Sequence, residues 1–175
     1  PLVGKDRNPQ AGGNAKSGKK VAWQNGKSYW PICLDTATLD KGIGLEDKLR
    51  LAAEAGFDCV EPWDRELDQY EKQGGNLKDL KSLVADLGLY IPSVIGLWNS
   101  MDASEESFKS RLEEHRNRLR MVAAIGSRKV QVIPNMKLKD SFDYNVASWC
   151  YRQILEMAIG DYGMEGAGIV FLNFF

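Results

Sequence analysis

Three residue types in this chain can act on a small polar ligand, and each recurs at the end of an apolar run. Glu61 closes the run Asp58-Cys-Val-Glu-Pro-Trp63. A carboxylate in that place can serve as a general base, hold a sugar hydroxyl, or pair with a lysine across the site. Site lining and a structural ion pair are equally good readings of it. Asp35 and Asp64 stand in similar places with a weaker claim. Trp63 and Trp98 each lie just beyond an apolar run. Indole faces at such a mouth stack on the C–H face of a sugar or shield a site from water, and rim packing is the plain alternative. Asn99, Asn135 and Asn173 each follow a strand-like run, where an amide can hydrogen-bond a hydroxyl-rich ligand. Trp149, on a helix face, reads as core.

Other chemistries are poorly served. His115 is the single histidine. It falls seven residues after Phe108 and three after Leu112, on the buried stripe of a helix, and is expected to pack there with its imidazole satisfied. A Ser-His-Asp or Cys-His catalyst is poorly supported around it. Cys33, Cys59 and Cys150 are far apart with no CxxC pair, which argues against a thiolate zinc site. They read as small buried hydrophobes. There is no GxGxxG, no GxxxxGK[ST] and no GxSxG; Gly42 and Gly44 read as loop punctuation.

The elements that must position these residues follow a rhythm. Strands are expected at 30–35, 58–63, 89–95, 129–133 and 168–172. Helices are expected at 45–55, 77–87, 104–125 and 142–161, with a polar loop between Trp63 and Leu77. Leu45, Leu49, Ala52 and Ala53 share one helix face, as do Phe108, Leu112, Leu119 and Val122. Two junctions repeat one device, helix-Gly-strand, at Gly56 and Gly126. Strands alternating with amphipathic helices imply parallel strands joined by right-handed crossovers. Ligands in such folds bind beyond the carboxyl ends of the strands, which is where Glu61, Trp63, Trp98 and Asn135 fall.

Composition narrows the class. The chain has 175 residues, 43% hydrophobic and 27% charged, with a net charge of −1. These values suit a globular protein and exclude collagen-like or wholly disordered chains. The charge balance argues against a nucleic-acid binder held by bulk charge. No apolar run approaches the ~18 residues of a membrane-spanning helix. Residues 1–30 carry six Lys or Arg against Asp6 alone. Residues 1–29 read as a flexible basic tail and 30–175 as the folded part. No signal-peptide core is visible, so cytoplasmic and periplasmic placements stay open.

Several runs resemble the sugar phosphate isomerase/epimerase family, the xylose isomerase-like TIM barrels. The stretch Leu45-Glu-Asp-Lys-Leu-Arg-Leu-Ala-Ala-Glu-Ala-Gly-Phe-Asp-Cys-Val-Glu-Pro-Trp63 resembles that family's first helix and second strand. Leu83-Val-Ala-Asp-Leu-Gly-Leu-Tyr-Ile91 resembles its second helix and third strand, Gly126-Ser-Arg-Lys-Val-Gln-Val-Ile133 its fourth strand, and Ile169-Val-Phe-Leu-Asn173 its fifth. The likeness covers residues 31–175 in order. It implies an α/β fold that is a partial (β/α)₈ barrel of about five parallel strands and four helices, since a closed barrel typically takes about 250 residues. A flavodoxin-like doubly wound sheet is the alternative.

The resemblance also implies an activity: isomerisation or epimerisation of a small sugar or sugar phosphate. A divalent metal, Mn²⁺ or Mg²⁺, would assist proton transfer between adjacent carbons. The family's metal ligands come from strand 5 onward, and Val170 falls where its strand-5 Glu usually stands, with Glu165 upstream in the turn. The expectation is an incomplete site, and a chain inactive by itself. A non-catalytic pseudo-enzyme or interaction module on the same scaffold is one alternative; a flavodoxin-like phosphate or nucleotide binder is another. A final strand ending in Phe171-Leu-Asn-Phe-Phe175 would leave an apolar sheet edge open to self-association.

Overall fold

A computed structural model of the chain describes residue 23 and residues 28–102, 104–134 and 143–169. Along the chain run β1 (Cys33–Asp35), α1 (Leu45–Glu54), β2 (Cys59–Glu61), α2 (Asp64–Lys72), α3 (Leu77–Asp86), β3 (Val94–Trp98), α4 (Glu105–Ser110), α5 (Leu112–Ala124), β4 (Lys129–Ile133), α6 (Tyr144–Glu156) and β5 (Gly166–Ile169). A 3₁₀ turn, Thr36–Thr38, follows β1, and a π turn, Met157–Asp161, extends α6.

All the ladders are parallel. β1 pairs with β2, and β3, β4 and β5 pair in that order. The two groups are joined by bridges from Cys59 to Tyr90 and from Trp63 to Ile95, through Val60 N–H to Tyr90 O and Ile95 N–H to Pro62 O at 3.1 and 2.9 Å. Spatial order thus follows chain order. A flavodoxin-like sheet places its first strand inside, between the second and third. Here β1 meets β2, and the far side of β2 meets the β3 segment. That is the order of a partial (β/α)₈ barrel, and it overturns the doubly wound alternative.

The core lies between the strands and the helices. Val60, Val94, Val130 and Val132 face outward from the strands onto Leu49, Leu67, Leu80, Leu119 and Val122 of the helices. Their alternate neighbours, such as Glu61 and Gln131, face the barrel side. Gly56 and Gly126 stop their helices at φ +83° and +88°, a left-handed backbone that costs glycine nothing.

Four expectations need correction. The polar loop after Trp63 contains α2, whose first turn is fixed by the Glu66 carboxylate accepting from Trp63 N–H at 3.0 Å. The long helix at 104–125 is two helices, broken where Arg111 leaves helical geometry (φ −109°, ψ 9°). Strand 3 runs later, from Val94 to Trp98, because Pro92 has no N–H to give a ladder. Strand 5 starts two residues earlier, at Gly166; Asn173 and Phe171–Phe175 lie outside the described residues.

Candidate ligand site at the carboxyl ends of the strands

The mouth of β1 and β2 is built on a buried ion pair. Lys48 of α1 is only 4% exposed. Its Nζ donates to Glu66 Oε1 at 2.8 Å and to Thr36 O at 3.0 Å. Glu66 Oε2 accepts from the fully buried Thr36 hydroxyl and from Trp63 N–H. This cluster fixes the backbone at the end of both strands. Trp63 then points its indole N–H at Asp35 Oδ1, 2.7 Å away, and the same oxygen accepts from Ala37 N–H at 2.9 Å.

Glu61 faces the barrel side. Its Oε1 accepts from Gln131 Nε2 of β4 at 2.6 Å and from the Ser93 hydroxyl just before β3. The carboxylate thereby ties three strands together. It stands directly opposite Asp35 in the β1·β2 register.

The end of β3 carries the strained backbone among the described non-glycine residues. Leu97 and Asn99 both have positive φ, +52° and +55°. Neither is glycine, and such conformations persist only where the surroundings over-determine them. The register slips between Gly96 and Trp98, a bulge of the kind that re-aims a side chain. Buried Asp64, at the start of α2, accepts from Leu97 N–H at 3.1 Å and from Arg118 Nη1 at 3.0 Å. Burial pushes its carboxyl above the ordinary range, against the pull of Arg118. Arg111 donates to Asn99 O at 2.8 Å and to Trp98 O at 3.5 Å. Arg111 and Arg118 share Glu114. Ser100 N–H closes the loop onto Ile133 O at 3.2 Å. The break between α4 and α5 is what brings Arg111 to these carbonyls.

The product of this bracing is the placement of Trp98. Its ring stacks on Trp63 at 5.2 Å with the planes 21° apart. Its Nε1 is buried with no hydrogen-bond partner among the described residues. Arg65 lies 4.1 Å over the Trp63 ring.

Of the residues singled out from sequence, Trp63 and Trp98 are brought into contact, Glu61 joins β2 to β4, Asp35 holds Trp63, and Asp64 holds β3. Asn99 contributes its carbonyl to Arg111. Asn135, Asn173 and Val170 lie outside the described residues. His115 is buried as expected, but both its ring nitrogens lack partners, so it is not a satisfied imidazole. Cys59 and Cys150 are buried, whereas Cys33 is exposed. Sequence reading missed Lys48, Thr36, Glu66, Ser93, Gln131, Arg111 and Arg118. Gln131 had a visible signal: it is the one polar residue inside the run Val130–Ile133.

Among the described residues no group of three His, Cys, Asp or Glu side chains could hold a metal ion. One oxygen of Asp35 accepts from Trp63 and Ala37, and one oxygen of Glu61 from Ser93 and Gln131, and no third carboxylate, histidine or cysteine among the described residues joins them. These residues do not fit the divalent metal that the resemblance implies.

No family model matches the sequence, and no curated protein matches it. Solved structures do. One is a xylose isomerase-like TIM barrel/4-hydroxyphenylpyruvate dioxygenase fusion protein, with a TM-score of 0.67 and 23% identity over 79% of this chain and 21% of that one. Another is the IolI protein with a bound zinc atom, with a TM-score of 0.66 and 17% identity over 80% of this chain and 51% of that one. A third is D-psicose 3-epimerase in the presence of D-fructose, with a TM-score of 0.61 and 12% identity over 77% of this chain and 50% of that one. The chain spans about half the length of the last two and about a fifth of the fusion protein. Likeness at these identities is likeness of fold, and it agrees with the fold that the sequence resemblance implies: the described residues fold as part of a TIM barrel.

Proposed function

We propose that the chain supplies the substrate-holding part of an isomerase or epimerase site for a small sugar or sugar phosphate. The observation that carries this reading is Trp98: a buried, unpartnered indole N–H on a strained, heavily braced backbone at a strand's carboxyl end. Unsatisfied buried donors are rare in folded proteins and call for an explanation. A ligand oxygen would satisfy this one, and the indole face not stacked on Trp63 would meet the sugar's C–H face. Trp63 stacks on Trp98 and carries Arg65 over its ring, so its part in this reading is to back Trp98. Glu61, with Asp35 opposite, would accept from ligand hydroxyls, and Asn135 would add an amide.

Proton transfer between adjacent carbons, assisted by Mn²⁺ or Mg²⁺, is the reaction the resemblance implies. The described residues hold no donor set for that ion, so their part in such a reaction is to bind and orient the ligand. The solved structure of a 3-epimerase with D-fructose supports a ketose as the first ligand to try. Calorimetric titration of the full chain with D-fructose and with a ketose phosphate tests the reading. Saturable binding is expected, lost in Trp98→Ala and kept in Trp30→Phe, whose side chain is exposed. A folded chain that binds neither ketose would overturn it.

A further inference from the structure

Cys33 and Cys59 are the first residues of β1 and β2 and are Cα partners in the parallel ladder. Adjacent strands lie about 4.7–4.9 Å apart, inside the ~4.4–6.8 Å Cα separation of disulfides. Directly paired residues also project from the same face of a sheet. Each thiol shifts the titration of the other. One is exposed and the other buried. Nothing in the candidate ligand site uses either of them.

We propose that Cys33 and Cys59 form a reversible intrachain disulfide on reaction with low-molecular-weight disulfides, making the base of β1 and β2 a thiol-exchange site. The two cysteines have different tasks. Exposed Cys33 is the point of entry: its sulfur attacks one sulfur of a disulfide RSSR, forms a mixed disulfide and expels RS⁻. Cys59 is shielded from solvent and stands opposite Cys33 on the neighbouring strand. Its sulfur attacks the Cys33 sulfur from the inner side, breaks the mixed disulfide and expels the second RS⁻. The two protein thiols give up two electrons and two protons, and RSSR leaves as two RSH.

Tyr90 supports the second step. It is bridged to Cys59 in the sheet. Interactions with Cys33 and with Tyr90 lower the Cys59 thiol below its ordinary range. Cys33 moves the other way, its interaction with Cys59 raising it. Entry at Cys33 is therefore the slow step and closure by Cys59 the fast one. The bridge stays open to exchange because its Cys33 sulfur is exposed to attacking thiols.

The site sits beneath the carboxylates. Asp35 and Glu61 are paired two residues further along the same strands, on the same face. Drawing Cys33 and Cys59 together therefore acts on the rung that carries Asp35 and Glu61.

The test is incubation of the full chain with oxidised glutathione, followed by thiol counting and peptide mapping without reduction. The chain has three cysteines; the expected product keeps one free thiol, Cys150, and links the Cys33 and Cys59 peptides. Dithiothreitol should restore all three. Cys59→Ser should stop at a glutathione adduct on Cys33, and Tyr90→Phe should slow closure without affecting that adduct. A stable adduct on Cys33 in the unaltered chain would overturn the proposal. So would a cross-link to Cys150, a dimer joined through Cys33, or three unreacted thiols.

Discussion

His115 shows how much one side chain can hold in tension. It is fully buried, its ring lies 5.0 Å from that of Phe108, and neither nitrogen has a partner. Burial first, then the neighbouring Arg111, lowers its pKa from 6.5 to about 4, while Glu114 and Asp102 pull weakly the other way. In the unfolded chain the imidazole takes its proton near pH 6.5. Between there and pH 4 the unfolded state binds more protons, so stability falls as pH drops through that window, and the deficit persists below it. The full loss is about 3 kcal/mol. Asp64 slopes the opposite way: burial raises its carboxyl, so the fold gains from protonating it as pH falls toward 3.8. Urea unfolding at pH 7 and pH 4.5 should show the net destabilisation, and His115→Leu should remove most of the difference. A variant that keeps the whole pH slope would assign it elsewhere.

Gly96 makes a second argument at the same scale. A Cβ there would lie 2.7 Å from Asp64 Cβ, which is no flexible tip that can swing away. Gly96→Ala must therefore push Asp64 from Leu97 N–H and Arg118. The expected cost is about 1–3 kcal/mol. The stacked Trp63–Trp98 pair should change with it, which near-ultraviolet circular dichroism would register. Unchanged indole signals in a folded variant would mean that Asp64 does not position Trp98.

At the scale of elements, the Lys48–Glu66 pair joins α1 to α2 and ties both to the end of β1 through Thr36. Removing one member of a buried pair leaves the other charge uncompensated, at about 3–5 kcal/mol. Glu66 keeps some solvent contact, so Lys48→Met is expected near the lower end of that range by urea midpoint. Adding Glu66→Gln should recover part of the loss; a double variant weaker than the sum of the singles would contradict the pairing. This cluster also shows what was legible in the sequence. The strand-helix alternation, the glycine stops and the stripe of α5 were readable because each is local and periodic. α2 was not. Its run Asp-Arg-Glu-Leu-Asp-Gln-Tyr-Glu-Lys buries only Asp64 and Leu67, so it has almost no apolar stripe to find. Its one local cue is Glu66 three residues after Trp63. Lys48 was invisible for a different reason: a lysine buried by a partner 18 residues away looks like any surface lysine until both helices are placed.

The same split between local and distant information governs the site. Trp63, Trp98 and Glu61 could be marked because each ends an apolar run. Of the residues that fix them, Gln131 is marked only as the polar residue within an apolar run, and Ser93, Arg111 and Arg118, which act across strands or across a helix break, carry no mark at all. The break at Arg111 matters most, because an unbroken helix would not present its guanidinium to the carbonyls of Trp98 and Asn99.

At the scale of the whole molecule, sequential strand order sets the next expectation. Among the described residues, β1 and β5 are each hydrogen-bonded to a neighbouring strand on one side only. An unpaired parallel edge offers a row of backbone donors and acceptors to another chain. Beside β1 the side chains of Tyr29, Trp30 and Ile32 are exposed, which adds apolar area next to that edge. In a closed barrel the first strand finds a partner in the last, and neither edge is free. We therefore expect the chain to self-associate, and to do so more as concentration rises. Sedimentation velocity from about 1 to 100 μM should show dimers or larger species growing in. Replacing Trp30 and Ile32 with lysine, which blunts an edge by charge, should shift that equilibrium toward the monomer and leave the helical circular dichroism unchanged. A chain that stays monomeric at the highest concentration would mean these edges are covered by other residues of the same chain.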